Sequence, residues 1–117
     1  MSRKHNFEMF RGADKVLSVT VDNGADPPVA VDISTWTLAF TVRLTAQSTA
    51  EALIEKTSTS GITLSDPTHG VFQVALADTD TAGLAPGKYA YDCKRMSEGA
   101  EDVLVYGTLT LLAEVTR

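Results

Sequence analysis

Asp22, Asn23, Gly24 and Asp26 place oxygen ligands and a glycine in one short loop, the raw material of a calcium site. Such a site takes about six to eight oxygens and is usually closed by a bidentate Glu in register, and no such Glu follows here. The stretch reads instead as a solvated loop, because Asn-Gly is a strong turn dipeptide and Pro27-Pro28 ends any strand ladder. His5 and His69 lie far apart in the sequence, without Cys or carboxylate neighbours at metal spacing. Glu51 and Glu55 stand four apart beside Lys56, and no other carboxylates pair for acid–base work. The hydroxyl-rich runs Ser34 to Thr41 and Thr57 to Ser60 lack the partnered His that nucleophilic catalysis needs. Cys93 is the sole cysteine, which excludes an internal disulfide. Its place on an alternating strand makes it a buried structural thiol rather than an activated one. The chemistry-bearing residues therefore point to no catalysis, no metal and no cofactor.

Aromatic residues offer a different chemistry, that of recognition. Trp36, Phe40, Tyr89 and Tyr91 fall on the inward sides of alternating strands, which assigns them to a core rather than to a sugar-binding platform. Phe7, Phe10 and Tyr106 are undecided between core and intersubunit contact. The arm Ser2 to Phe10 joins Phe7 and Phe10 to the cations Arg3 and Lys4. Aromatics and Arg anchor interfaces, so Arg3, Lys4, Phe7, Phe10 and Tyr106 form the candidate interface set. A frayed terminus is the bland alternative for the arm.

The elements that must position these residues are strands. At 117 residues there is room for one domain and one core. The division expected is an arm or first edge strand over 1–10 and a single sandwich over 11–117. Lys15 to Val21 alternates, with Leu17, Val19 and Val21 on one face. Val29 to Ile33 reads as a short edge segment. Trp36 to Leu44 is the cleanest strand, and Trp36 fits the core tryptophan of a sandwich. Ala46 to Leu53 offers at most one helical turn within a polar loop. Leu53 to Thr57, Ile62 to Leu64 and a strand bearing Phe72, Val74 and Leu76 follow. Asp78 to Gly83 is a short helical turn or tight crossover, capped by Asp78 or Thr79 and ended by Gly83. The strand Tyr89 to Met96, a hairpin loop over Ser97 to Glu101 and a last strand Val103 to Leu112 complete the chain. The last strand is apolar on both faces over part of its length, as a central or covered strand would be.

The run Leu84-Ala85-Pro86-Gly87-Lys88-Tyr89-Ala90-Tyr91-Asp92-Cys93 says most about the fold. Pro-Gly makes a corner and feeds a strand that alternates Tyr, Tyr and Cys. A tyrosine corner ties a Tyr hydroxyl back to the backbone just upstream, and its Tyr stands two residues before a core Cys. Tyr91 has that spacing, and Tyr89 fits the variant that follows Leu-x-Pro-Gly directly. The reading is an all-β, immunoglobulin-like antiparallel sandwich of Greek-key type, with about seven to eight strands.

The formal net charge of −5 is the wrong sign for a nucleic-acid-binding stripe. No apolar run approaches the ~18 residues of a membrane span, and the basic start lacks the apolar run of a signal peptide. The expectation is a protein made and kept in a cytoplasm, or assembled into a particle there, with neither nucleic acid nor membrane as partner.

Three segments together resemble a known family. They are Phe7 to Lys15, Val31 to Arg43, and Gly61-Ile62-Thr63-Leu64 through Gly87-Lys88-Tyr89-Ala90-Tyr91-Asp92. The pattern resembles small tailed-bacteriophage virion proteins of the type found as the N-terminal domain of phage baseplate upper proteins. The chain departs from the family pattern at Ala13 and at Trp36, and the expectation is that it lacks the C-terminal extension that carries a fibre or receptor-binding partner. The resemblance implies a non-enzymatic structural component that docks tail, baseplate, connector or fibre parts together, in several copies per virion. A capsid decoration protein and a stand-alone carbohydrate-binding module are the alternatives.

Overall fold

The computed structural model of the chain describes residues 3–22, 29–45, 52–96 and 102–114. The loop Asn23 to Asp26, the polar stretch from Ala46 to Glu51 and the hairpin loop Ser97 to Glu101 lie outside the described residues.

The described residues fold as two facing β-sheets. Strands β1 (Arg3–Lys4), β2 (Phe7–Phe10), β4 (Leu38–Arg43), β5 (Ile54–Thr57), β8 (Gly87–Arg95) and β9 (Asp102–Leu112) form the larger sheet. Its order is β1-β9-β8-β4-β5, with β2 also paired to β9. Strands β3 (Lys15–Thr20), β6 (Ile62–Asp66) and β7 (Val71–Leu76) form the smaller sheet in the order β3-β7-β6. The chain passes between sheets at β2–β3, β3–β4, β5–β6 and β7–β8, so neither sheet is built from one continuous run.

One pairing differs from the all-antiparallel expectation. β1 and β2 run parallel to β9, with Arg3 opposite Val105 and Phe7 opposite Leu109. Both segments keep the same offset, so they are one strand interrupted at His5-Asn6. Of the two readings of this segment, an arm or a first edge strand, residues 3–4 and 7–10 form the edge strand. It also feeds the core, because Phe7 and Met9 are buried. Period-two alternation explains why: Phe7 and Met9 point inward while Glu8 and Phe10 point out.

The core lies between the sheets. Leu38, Phe40 and Val42 of β4, Phe72, Val74 and Leu76 of β7, and Leu109 and Leu111 of β9 are nearly or wholly excluded from solvent. Tyr89, Tyr91 and Cys93 join them from β8. Two expected core members are only partly buried. Val19 lies near the open side of the smaller sheet, and Trp36 precedes β4 rather than opening it. The Arg95 guanidinium stacks over the Trp36 ring, with Cζ 4.1 Å from its centre. Trp36 therefore covers the end of the core and does not fill it. Ile33, expected at an edge, is wholly buried instead, outside any strand. Leu44, the last residue of the expected strand, lies beyond the end of β4 and is exposed.

The corner before β8 resolves in favour of Tyr89. Its hydroxyl donates to the Ala85 carbonyl at 2.6 Å, four residues upstream. The Tyr91 hydroxyl is used differently. It donates to the His5 carbonyl and fastens the first strand. The crossover between β7 and β8 holds a one-turn helix, α1 (Asp78–Thr81). Ala77, not Asp78 or Thr79, is its N-cap, and the Asp80 carboxylate accepts from the Ala77 N–H at 2.7 Å. The buried Thr81 hydroxyl accepts from the Gly12 N–H at 2.8 Å, and Asp14 accepts from the Asp78 N–H. The β2–β3 turn is thereby clamped to α1. Replacing Tyr89 by Phe removes only the corner bond and is expected to lower unfolding stability by about 1 kcal/mol in a denaturant titration. An unchanged midpoint would show that the corner is held by Pro86 and Gly87 alone.

Candidate functional site

Strand alternation sends one continuous set of side chains to the outer face of the larger sheet. Lys4 stands opposite Tyr106, Tyr106 opposite Asp92, Asp92 opposite Thr41 and Thr41 opposite Glu55. This row crosses the whole sheet. A shallow groove of about 350 Å³ covers its middle, from Tyr106 through Asp92 to Thr41, bordered also by Arg43, Lys94 and Met96. Tyr106 and Met96 are each 43% exposed, so the groove has an aromatic and a thioether wall facing solvent. Lower on the same face, Phe10 stands opposite Leu112 and is 53% exposed.

Asp92 brings a carboxylate to a groove that also holds the cations Arg43 and Lys94. Burial holds its carboxyl above the usual carboxylate range, and the cations Lys94 and Arg43 only partly offset that. A raised carboxyl pKa is a stability cost at neutral pH. The favourable contribution is complete below the unfolded value and is lost as pH rises through the folded one. Asp92→Asn is therefore expected to melt higher than the parent at pH 7, with the difference vanishing in acid below pH ~4. A lower melting temperature at pH 7 would mean that Lys94 and Arg43 outweigh the burial.

The structure separates the five interface residues. Lys4, Phe10 and Tyr106 share the outer face. The Arg3 backbone pairs with Val105 at the edge of the sheet. Phe7 is a correction: it is buried, its ring edge-on to Tyr91 at 5.0 Å and capped by the Lys15 ammonium at 5.9 Å, so it has no free face to offer a partner. Sequence reasoning missed Asp92, Arg43 and Met96 as members of the face. The alternation around inward Tyr91 and Cys93 already carried the signal for Asp92, since a residue between two inward ones must point out.

The remaining chemical candidates occupy structural places. Cys93 is fully buried, and burial, helped by the nearby Asp92 charge, pushes its thiol up to about 12. His69 Nδ1 lies 3.0 Å from Asp66 Oδ1, and that carboxylate raises the imidazole pKa. The pair clasps the turn over Pro67–His69, whose Gly70 sits at φ 75° with the Val21 and Val31 carbonyls packed where a Cβ would be. His5 contributes its carbonyl to Tyr91. Glu55 points outward on β5, while Lys56 forms an ion pair with Asp80 of α1 at 2.8 Å. Among the described residues no group of three His, Cys, Asp or Glu side chains could hold a metal ion, and no helix is long and apolar enough to cross a membrane.

No family model matches the chain, and no curated protein matches it in sequence.

Proposed function

We propose that this protein is a non-enzymatic docking component of a tailed-phage virion and that the outer face of its larger sheet is the docking surface. The observation that carries the surface assignment is the convergence of Lys4, Phe10 and Tyr106, chosen from sequence for interface chemistry, on one face with Asp92, Arg43 and Lys94. Exposed aromatics beside charged groups are the composition of an interface core and its rim. The virion assignment rests on the sequence resemblance.

We also infer an immunoglobulin-like sandwich. Three features support it. A first strand lies parallel to the last at one edge, three strands form the opposing sheet, and a tyrosine corner opens the next-to-last strand.

The test is mass spectrometry of purified particles from the phage that carries the gene. Stoichiometric presence in particles supports the reading, and absence overturns it. In the same phage, Tyr106→Ala with Phe10→Ala should give folded protein that is lost from particles. Normal incorporation would remove this face from the proposal. A carbohydrate-binding module is the second reading, favoured by the half-exposed Tyr106 beside polar side chains in the groove. Millimolar or tighter glycan binding that Tyr106→Ala abolishes would select it.

A further inference from the structure

Among the described residues the two sheets leave four strand edges, and three of them are protected in familiar ways. β5 has four residues and carries Glu55 and Lys56. β6 loses regular register between Thr63 and Asp66. The first strand breaks at His5-Asn6 and carries Lys4 and Glu8. Short length, charge and irregularity are the devices that keep strand edges from pairing with other chains.

β3 has none of them in its interior. It runs unbroken over Lys15–Thr20 in regular register with β7, and among the described residues no strand pairs with its other side. Its one charge, Lys15, sits at the end and lies over the Phe7 ring. Val16 is 58% exposed. The Val21 N–H donates to the Gly70 carbonyl on the β7 side. By the alternation of an antiparallel ladder, Val16, Ser18 and Thr20 then direct their N–H and C=O groups to the open edge. Beside this edge a cleft of about 270 Å³ opens between the sheets, lined by apolar Leu17, Val19 and Leu104 and also by Lys4, His5 and Asp22.

We infer that β3 is a self-association edge, on which β3 of a second copy of this chain pairs antiparallel to extend the smaller sheet across a two-fold axis. A strand added here presents one row of side chains toward Leu17, Val19 and Leu104 and the other to solvent. β3 itself has that alternation, with Leu17 and Val19 inward and Ser18 and Thr20 outward. Pairing around Ser18 places Leu17 opposite the second copy's Val19, and Val16 opposite its Thr20, so the outer side brings no like charges together. Each copy's inward residues then extend over the other's cleft. An isologous contact of this kind closes at two and does not propagate. Six residues of edge make a small interface, so the dimer is concentration-dependent. The inference does not rest on the virion reading, because it concerns the purified chain alone.

The test is sedimentation equilibrium of the purified protein over a wide concentration range. The expected result is a mass rising from 12.5 kDa toward twice that value. A mass that stays at the monomer value up to the solubility limit overturns the inference. Ser18→Pro removes an outward N–H at an edge, which a monomer tolerates, and should abolish the rise while leaving the far-ultraviolet spectrum unchanged. Dimerisation of that variant at the parent's strength overturns the assignment to β3, as does loss of the dimer in Tyr106→Glu with retention in Ser18→Pro. As a measurement independent of the proline, a nitroxide on Ser18→Cys should show one narrow, short distance between copies. A broad long distance, or none, at concentrations where the mass has doubled overturns it.

Discussion

Phe40→Ala is expected to lower the unfolding free energy by about 3–5 kcal/mol, the combined loss of transfer energy and the cavity left behind. Phe40 is fully excluded from solvent, in the middle of β4, between β5 and β8. Its ring lies 5.6 Å from that of Tyr91, and Cys93 stands directly opposite on β8. These neighbours are fixed by their own ladders and by the Tyr91–His5 bond, so they cannot collapse into the space. A domain of this size should lose about 12–20 °C of melting temperature. Trp36→Ala in the same titration gives the contrast. The larger residue should cost less than about 3 kcal/mol, because its ring is only partly buried and one side meets Arg95 rather than the core. If Trp36→Ala proves the more damaging of the two, the placement of Trp36 at the rim is wrong.

The second large effect comes from a residue with no side chain. A Cβ on Gly107 would collide with the His5 carbonyl oxygen and lie 2.8 Å from the Asn6 side-chain oxygen. Gly107 stands opposite Tyr91 on β8, and the His5 carbonyl turns into the space above it to accept the Tyr91 hydroxyl. The glycine is required here for room, since the contact is to backbone that cannot swing aside. Gly107→Ala should displace the first strand and break the Tyr91 bond, at a cost of about 2–4 kcal/mol. Hydrogen exchange locates the damage: protection should fall over residues 3–10 while that of β7 is retained. Uniform loss across both sheets would show that the first strand does not open separately.

Much of this architecture was legible because alternation is a local property. Leu38-Ala39-Phe40-Thr41-Val42 and Tyr89-Ala90-Tyr91-Asp92-Cys93 each state which side is in, and a one-residue slip would turn every such side chain to the wrong face. The corner was legible as well, since Leu-x-Pro-Gly followed by Tyr fixes both the turn and the reach of the hydroxyl. What sequence could not show was pairing between distant segments. Phe7-Glu8-Met9-Phe10 alternates like any strand, and nothing within four residues says that its ladder partner is Leu109 to Leu112. Without that knowledge an arm and a first edge strand read alike, and Phe7 fits a contact as well as a core. Ile33 was missed for a related reason: a loop residue is buried by the sheets that close over it and not by its own periodicity. The outer face of the larger sheet was half legible. Lys4, Phe10 and Tyr106 were chosen by type, but their meeting on one face with Asp92 depends on the parallel register of the first strand.

That parallel register also determines how the domain bears load. The first strand and β9 run side by side in the same direction, and β9 is bound along its other edge by β8. Tension applied to the chain ahead of Arg3 and beyond Leu112 pulls these neighbours past each other along their length. The hydrogen bonds between them lie across that force and must yield together rather than one at a time. A hairpin pulled open from its free ends unzips bond by bond and fails at low force. Here the Tyr91 hydroxyl on the His5 carbonyl adds a side-chain latch across the sliding boundary. The arrangement makes a stiff link in a chain under tension, and its resistance is concentrated in residues 3–10 and the last strand.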